Sequence, residues 1–215
     1  MAAISKSVLE DKAKEQVVAF WEQQMTIFPA LEMYVGPEIH RLKGIAPQSV
    51  VANGGFEDGQ AGDPPALPGW DFYENYGMVK GVKAKYAWTD GSGHNGGKAV
   101  AFGEGQYPEM KGIISLEKGR RYELSFWYKT VNRERNASLS IFSSDVPLAA
   151  PVDIDADKLH RFFELGLEPT HGEWKQVTRT LTPSKDGTYV IQLASYYHKE
   201  GEWTWWDEVE IRKVW

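Results

Sequence analysis

The chain has 215 residues, no Cys and a formal charge of −6 from 24 Lys and Arg against 30 Asp and Glu. The absence of Cys excludes a thiol nucleophile, a thiolate metal site and a disulfide scaffold. The acidic balance, with no basic patch, argues against nucleic acid or an anionic membrane as partner, and no apolar run is long enough to span a bilayer. The length suits one ordinary domain plus an extension, or two small units. The aromatic count is high, with 9 Trp, 10 Tyr and 9 Phe beside 21 Gly and 11 Pro. Aromatics in short runs between Gly/Pro turns point to an all-β sandwich or barrel.

Residues Ser7 to Phe28 read as a helix, because Leu9, Ala13, Val17, Phe20, Trp21, Met25 and Phe28 recur at three- and four-residue steps. Ser7 and Glu10 have the spacing of a capping box. Pro29 stops this helix or opens a short one through Leu31–Tyr34, Gly36-Pro37 is a break, and Glu38–Leu42 adds a further turn. An isolated amphipathic stretch of this kind is marginal, so it needs a surface to dock on. Its first residues, Met1 to Ser7, contain no apolar segment resembling that of a signal peptide. The domain expectation is therefore a helical extension, or the trailing part of an upstream domain, over residues 1–46, and a β-sandwich over 47–215.

From Pro47 the pattern changes to short strands between turns. The expected strands are Val50–Ala52, Trp70–Glu74, Val79–Trp88, Lys98–Phe102, Lys111–Leu116, Arg121–Thr130, Ala137–Phe142, Trp174–Leu181, Thr188–Tyr196 and Trp203–Arg212. Asp145–Gly172 reads as an insertion with a short helix, capped by Asp155 or Asp157 and apolar at Leu159, Phe162, Phe163 and Leu165. Such a segment is either a wall of a binding site or a cover for a sheet edge.

Two stretches suggest chemistry. Asn53-Gly-Gly-Phe-Glu57 reads as a turn whose two glycines supply positive φ, exposing carbonyl oxygens beside a carboxylate, the donors a hard cation prefers. The competing reading is a turn ended by a solvated Glu. Along Trp203–Ile211, strict alternation puts Trp203, Trp205, Asp207, Val209 and Ile211 on one face. A carboxylate among such residues needs a partner or a metal, so Asp207 is expected to be satisfied or coordinating, and able to meet the Asn53–Glu57 turn. No catalytic constellation emerges. The acidic pairs Glu57/Asp58 and Asp207/Glu208 are adjacent residues on opposite strand faces, so neither flanks one bond, and the five His show no metal-ligand spacing.

Five motifs carry a resemblance: Asn53-Gly-Gly-Phe-Glu57, Pro68-Gly-Trp70, Gly97-Lys-Ala-Val100, the run Gly119 to Lys129, and Trp205-Trp-Asp-Glu-Val-Glu-Ile211. In this order the chain from Val50 to Val214 resembles the jelly-roll carbohydrate-binding modules of xylanases and cellulases, a galactose-binding-like β-sandwich. The resemblance implies a structural calcium held by the Gly55 carbonyl, Glu57, Asn95, the Lys98 carbonyl and Asp207. Asn95 departs from the pattern, where an acidic residue is common. It also implies a polysaccharide or oligosaccharide partner, an attached or associated glycoside hydrolase, and an extracellular or periplasmic setting.

Sugar rings lie on aromatic faces while amides and carboxylates read their hydroxyls. In Arg121–Thr130 the polar set Glu123, Ser125, Trp127 and Lys129 faces away from the core set Tyr122, Leu124, Phe126 and Tyr128; Val190, Gln192, Ala194 and Tyr196 form the analogous set later. The expected ligand residues are Trp127, Tyr107, Gln192, Tyr196 and Trp88, with Tyr73 and Tyr76 behind them; Trp70 belongs to the core. A site of this kind requires Trp127, Gln192 and Tyr107 to share one cleft. The reading is a non-catalytic carbohydrate-binding module. A protein-interaction sandwich on the same fold and a small glycan lyase or hydrolase are the alternatives.

Overall fold

The computed structural model describes residues 6–44, 47–74, 84–105, 108–144 and 159–214. The chain divides into two compact units, Met1–Gln48 with Lys213–Trp215, and Ser49–Arg212.

The first unit is a helical hairpin of α1 (Lys6–Ile27), a 3-10 turn (Pro29–Leu31) and α2 (Glu32–Lys43). Val18 and Ile39 are buried between the helices, whereas Val17 and Phe20 of the expected apolar face are 45% and 54% exposed. Two expectations fail locally. α1 already runs from Lys6, so the backbone of Ser7 is inside the helix and not at the position before it where a cap was expected. α2 continues through Gly36-Pro37, where a break was expected, and ends at Gly44 in the left-handed conformation. A lost N–H at one position is tolerated when the rest of the helix is bonded and packed.

The second unit is a β-sandwich. In chain order its strands are β1 (Trp70–Glu74), β2 (Lys85–Thr89), β3 (Ala99–Gly105), β4 (Pro108–Leu116), β5 (Arg121–Val131), β6 (Ala137–Ser144), β7 (Leu159–Leu167), β8 (Lys175–Leu181), β9 (Gly187–Ser195) and β10 (His198–Val214). The first sheet has the order β1-β4-β9-β6-β7 and the second β2-β3-β10-β5-β8. Alternation sends Met110, Ile114, Leu139, Ile191 and Leu193 inward from the first sheet, and Val100, Phe102, Leu124 and Phe126 inward from the second. Trp206 is fully buried between them, with the rings of Phe126, Phe102 and Tyr128 at 6.0, 6.4 and 6.4 Å.

The expected insertion with a helix is instead an edge strand. β7 pairs antiparallel with β6, and Leu165 and Leu167 oppose Leu139 and Ala137 on the core side. The register jumps between Ile141 and Phe142, leaving Phe162 as an extra residue that packs on Tyr189 at 5.4 Å. One bulged residue turns two-step alternation into the three- and four-step spacing of a helix. The candidate caps Asp155 and Asp157 lie outside the described residues.

Val50–Ala52 does not form a strand. The segment makes a single bridge, Ser49 to Arg212, and then turns. Its seam with β10 is still continuous: the Val50 N–H donates to the Ile211 carbonyl and the Val209 N–H to the Gly54 carbonyl, both at 2.8 Å. Positive φ falls on Asn53 and Phe56, not on the glycines between them. Gly54 is needed for close approach, because a Cβ there would overlap the Val209 carbonyl.

At one end of the sandwich Arg133, 1% exposed, ties two connections together. It donates to the Asn136 carbonyl at 3.1 Å and the Tyr196 carbonyl at 2.6 Å, and lies 3.5 Å from the buried Glu202 carboxylate. Burial is the main reason its pKa falls to about 10; Glu202 opposes the fall.

Gly54→Ala is expected to lower the unfolding free energy by at least about 1–3 kcal/mol, the usual cost of forcing a group into packed backbone. Gly166→Ala, where a Cβ meets nothing within 4 Å, is the control expected to be near neutral. Urea denaturation with equal midpoints for both variants would contradict the seam.

Candidate functional site

Two regions collect polar side chains. The first is the outer face of the first sheet. Register places Asp71, Lys111, Gln192, Ser140 and Glu164 in one row across all five strands. A second row carries Tyr73, Glu109, Ala194, Ser138 and Gly166, and a third Ile113, Val190, Phe142 and Arg161. The middle of this face is deep: Val190, Gln192 and Ala194 point away from the core yet are 0%, 8% and 1% exposed. The polar groups hold one another. Lys111 Nζ lies 3.1 Å from a Glu109 carboxylate oxygen and 4.5 Å from the centre of the Tyr73 ring. The Tyr196 hydroxyl donates to Glu109 at 3.3 Å, and the Gln192 amide nitrogen stands 3.5 Å from that hydroxyl. Burial, and then the Glu109 carboxylate, raise the Tyr196 phenol above its ordinary range. At the far edge Arg161 donates to Glu164 at 2.6 Å and lies over the Phe142 ring. Beyond Asp71 a cavity of about 800 Å³ is walled by the proline loop, including Gln60, Pro64 and Pro65.

The second region joins the Asn53–Glu57 turn, the loop before β3 and β10. Strict alternation along β10 fails here. Thr204 and Trp206 face the core, but so do Val209 and Ile211, so one residue is gained between them. Glu208, with φ 47°, is the left-handed residue at that step. The step turns Asp207, 3% exposed, toward the loop. Its carboxylate accepts from the His94 N–H and from the Glu208 N–H, each at 2.7 Å. Glu57 accepts from the Lys98 N–H at 3.0 Å, so the two carboxylates clamp one loop. A Cβ on Gly93 would lie 2.8 Å from the Lys98 carbonyl and 2.9 Å from Asp207 Oδ2, so both oxygens border the same small space.

Burial pushes the Asp207 carboxyl up to about 6; the His94 and Glu208 N–H groups oppose this, and the Glu208 and Glu57 charges add to it. No cationic side chain pairs with Asp207 among the described residues. The chemistry of the set fits a hard cation: two carboxylates and a carbonyl, all oxygen. It does not fit a cluster of side chains alone, since no three His, Asp or Glu gather as a metal site among the described residues. Of the five expected ligands, Glu57, Lys98 and Asp207 converge, and Gly55 lies beside the Glu57 side chain. Asn95 instead donates to the Glu208 carboxylate.

The expected sugar ligands are divided. Gln192 and Tyr196 belong to the first-sheet face. Trp127 stands on the outer face of the second sheet, with the His94 ring stacked on it at 3.4 Å. Trp88 packs against the core edge and donates its indole N–H to the Phe56 carbonyl at 2.6 Å, so it is a packing residue. Tyr107 and Tyr76 lie outside the described residues. Trp127 and Gln192 therefore do not share a cleft: β5 and β9 belong to opposite sheets. Alternation gives the face of a residue within its strand, and says nothing of which sheet the strand joins. Trp70 is in the core, as expected, and its N–H reaches the Ala52 carbonyl at 3.0 Å. The sequence reading missed Asp71, Glu109, Lys111, Ser140 and Glu164. The alternation of Glu109 and Lys111 with Met110 and Gly112 was a usable signal; Glu164 was hidden by the β7 bulge.

Residues 48–195 match the family CBM_4_9, described as a carbohydrate binding domain. The chain belongs to this carbohydrate-binding family. No curated protein matches the sequence. Among solved structures, a CBM4 module is 18% identical, with 76% of this chain and 99% of that one covered and a TM-score of 0.51. TmCBM61, solved with β-1,4-galactotriose, is 17% identical over 77% of this chain and 99% of its own, with a TM-score of 0.49. The CBM22-1 xylan-binding domain of Paenibacillus barcinonensis Xyn10C is 16% identical over 79% and 97%, with a TM-score of 0.46. At such identities the likeness to the CBM4 module shows the fold, the β-sandwich expected from the sequence.

The raised Asp207 value yields a pH dependence in metal-free protein. The folded carboxyl holds its proton to about 6 and the unfolded one only to 3.8. Folding is therefore favoured at low pH, and stability falls as pH rises through that window, by on the order of 3 kcal/mol. Chelator-treated protein unfolded in urea at pH 4 and pH 7 should show this fall, and Asp207→Asn should remove most of it.

Proposed function

We propose that the chain is a non-catalytic glycan-binding module that lays a neutral sugar chain across the first sheet. The observation that carries this is the row Asp71, Lys111, Gln192, Ser140 and Glu164, which offers donors and acceptors over the full width of the sheet. Family membership supports a sugar as the ligand. Tyr73, held under Lys111, and Tyr196 supply aromatic surface beside these groups. A chain crossing five strands spans about 19 Å at the usual strand spacing, the length of several sugar units. Carboxylates also line the face, yet Asp71 and Glu164 stand on opposite edge strands, far beyond the separation of a catalytic pair. Glu109 is taken by Lys111 and Tyr196. This favours holding a glycan over cleaving it.

The same proposal includes a structural calcium between the Asn53–Glu57 turn and β10. Glu57, Asp207 and the Lys98 carbonyl would hold it, with the Gly55 carbonyl adjacent. The ion would supply charge neutralisation that Asp207 otherwise lacks, and would staple the turn, the loop and the last strand. The proposal extends to association with a polysaccharide-degrading enzyme in an extracellular or periplasmic setting, the role that the family resemblance suggests. In that role the module raises the local concentration of enzyme at its substrate.

Isothermal titration with neutral β-linked hexasaccharides tests the site. Gln192→Ala is expected to weaken binding about tenfold or more, the loss from unpaired buried hydrogen bonds, while Trp127→Ala leaves it unchanged. The reverse pattern would overturn the assignment of the face. For the ion, millimolar calcium added after chelation should raise the melting temperature, on the scale of about 2.7 kcal/mol at a hundredfold excess over Kd. Asp207→Asn should abolish that rise; an equal rise in both proteins would refute the site.

A further inference from the structure

The outer face of the second sheet carries a group of side chains that neither the neutral-glycan row nor the cation seam uses. Trp127 and Lys129 come from β5, Trp203 and Trp205 from β10, and Trp174 from the residue before β8. All five are half-buried. Trp203 opposes Gly103 of β3, and a Cβ on that glycine would meet three atoms of the indole at 2.6, 2.6 and 2.7 Å. The ring therefore lies flat over the glycine and turns its other face away from the sheet. Trp205 lies beside it, ring centres 6.2 Å apart and planes tilted by 34°. Gly103 here keeps a flat aromatic floor.

Lys129 sits in the middle of this floor. Its ammonium is 4.6 Å from the Trp174 ring centre and 5.4 Å from that of Trp205. Among the described residues no carboxylate pairs with it, and no protein group accepts from the indole N–H of Trp127, Trp174, Trp203 or Trp205. Burial lowers the lysine pKa, so the cation has lost water that no anion has replaced. On the His94 side Glu208 is bonded to Asn95 and lies 3.8 Å from His94. The indole cluster thus offers aromatic planes, N–H donors without acceptors and a cation without a counter-charge; Ser125, Gln176 and Thr178 continue the same face along β5 and β8, and Lys85, paired with Glu104, stands at its other edge.

We propose that this face is a second ligand site for acidic sugars, in which indole planes receive the C–H faces of the rings and Lys129 receives a uronate carboxylate. A uronic-acid oligomer supplies what the cluster lacks: an anion for Lys129, oxygens for the indole N–H groups and apolar ring faces for the indole planes. The first-sheet face carries Asp71, Glu109 and Glu164 with its cations Lys111 and Arg161 already paired to two of them, so it gives an anionic sugar no uncompensated cation and leaves acidic glycans to the second sheet. With a chain charge of −6, a uronate oligomer gains nothing from the molecule as a whole, so its binding reports a local site.

The probe is tetragalacturonate, with its methyl ester as the neutral counterpart, titrated into the full chain by calorimetry and by tryptophan fluorescence. The acid is expected to bind and shift the indole emission, and the ester to bind about tenfold more weakly or worse. Lys129→Met keeps the stem and removes the charge; it should lose the acid by a similar factor with an unchanged melting temperature and unchanged neutral-hexasaccharide affinity. Trp203→Phe should weaken both acid and ester, and Gln192→Ala neither. No binding of the acid to the parent protein would overturn the proposal. So would binding indifferent to both Lys129→Met and Trp203→Phe, or binding lost with Gln192→Ala. A failed first-sheet site would show in the neutral hexasaccharides alone, so the two proposals stand or fall separately.

Discussion

The Asp207 carboxylate is taken out of water at the place where three distant parts of the chain meet. Keeping it there requires N–H donors from the loop and from β10, and a second carboxylate, Glu57, holds the other end of the same loop. The left-handed Glu208 makes this possible. It shifts β10 by one residue, so that Trp206 enters the core before the shift and Val209 and Ile211 enter it after. Without that residue, Val209 and Ile211 would face outward and the seam to Gly54 would be lost. Core packing, the first-segment seam and the buried acid are therefore consequences of one backbone step.

The two sheets present opposite chemistries outward. The first sheet mixes carboxylates, amide, hydroxyls and cations across five strands, and these groups already bond to one another at its centre. A hydroxyl-rich neutral ligand can bond to such groups while the Lys111–Glu109 ion pair stays closed, so no charge is stranded. The second sheet gathers indoles around Lys129 on the part of its face made by β5 and β10. Sheet faces separated by a core nearly filled with aromatic and branched side chains have no polar route between them, so each face can be altered alone. His94 is the bridge between the Asp207 seam and the second face: its N–H holds Asp207 and its ring covers Trp127.

Much of the sandwich was legible because alternation and turn residues report local structure. The core set Tyr122, Leu124, Phe126 and Tyr128 and the outward set from Val190 to Tyr196 stand as expected. Misreadings fall where a single residue breaks the alternation. At Phe162 a bulge imitated helical spacing; at Glu208 another reversed the faces of the last strand. The glycines of Asn53–Glu57 were read as sources of positive φ, whereas Gly54 serves close approach and Asn53 and Phe56 carry the unusual backbone. Sheet membership was the larger gap. A face can be read within one strand, but only long-range pairing puts β5 and β9 in different sheets, which separated Trp127 from Gln192. The meeting of Glu57, Lys98 and Asp207 was legible through family motifs, with Asn95 drawn away by Glu208.

The central claim is the location of the neutral-glycan site, and backbone amide NMR of the intact chain during titration with a neutral β-linked hexasaccharide tests it most directly. The account predicts shifts concentrated at Lys111, Ser140 and Gln192 and their row neighbours, with Trp203 and Trp205 unmoved. Shifts confined to Trp127, Trp203 and Trp205, with the first-sheet row silent, would contradict it.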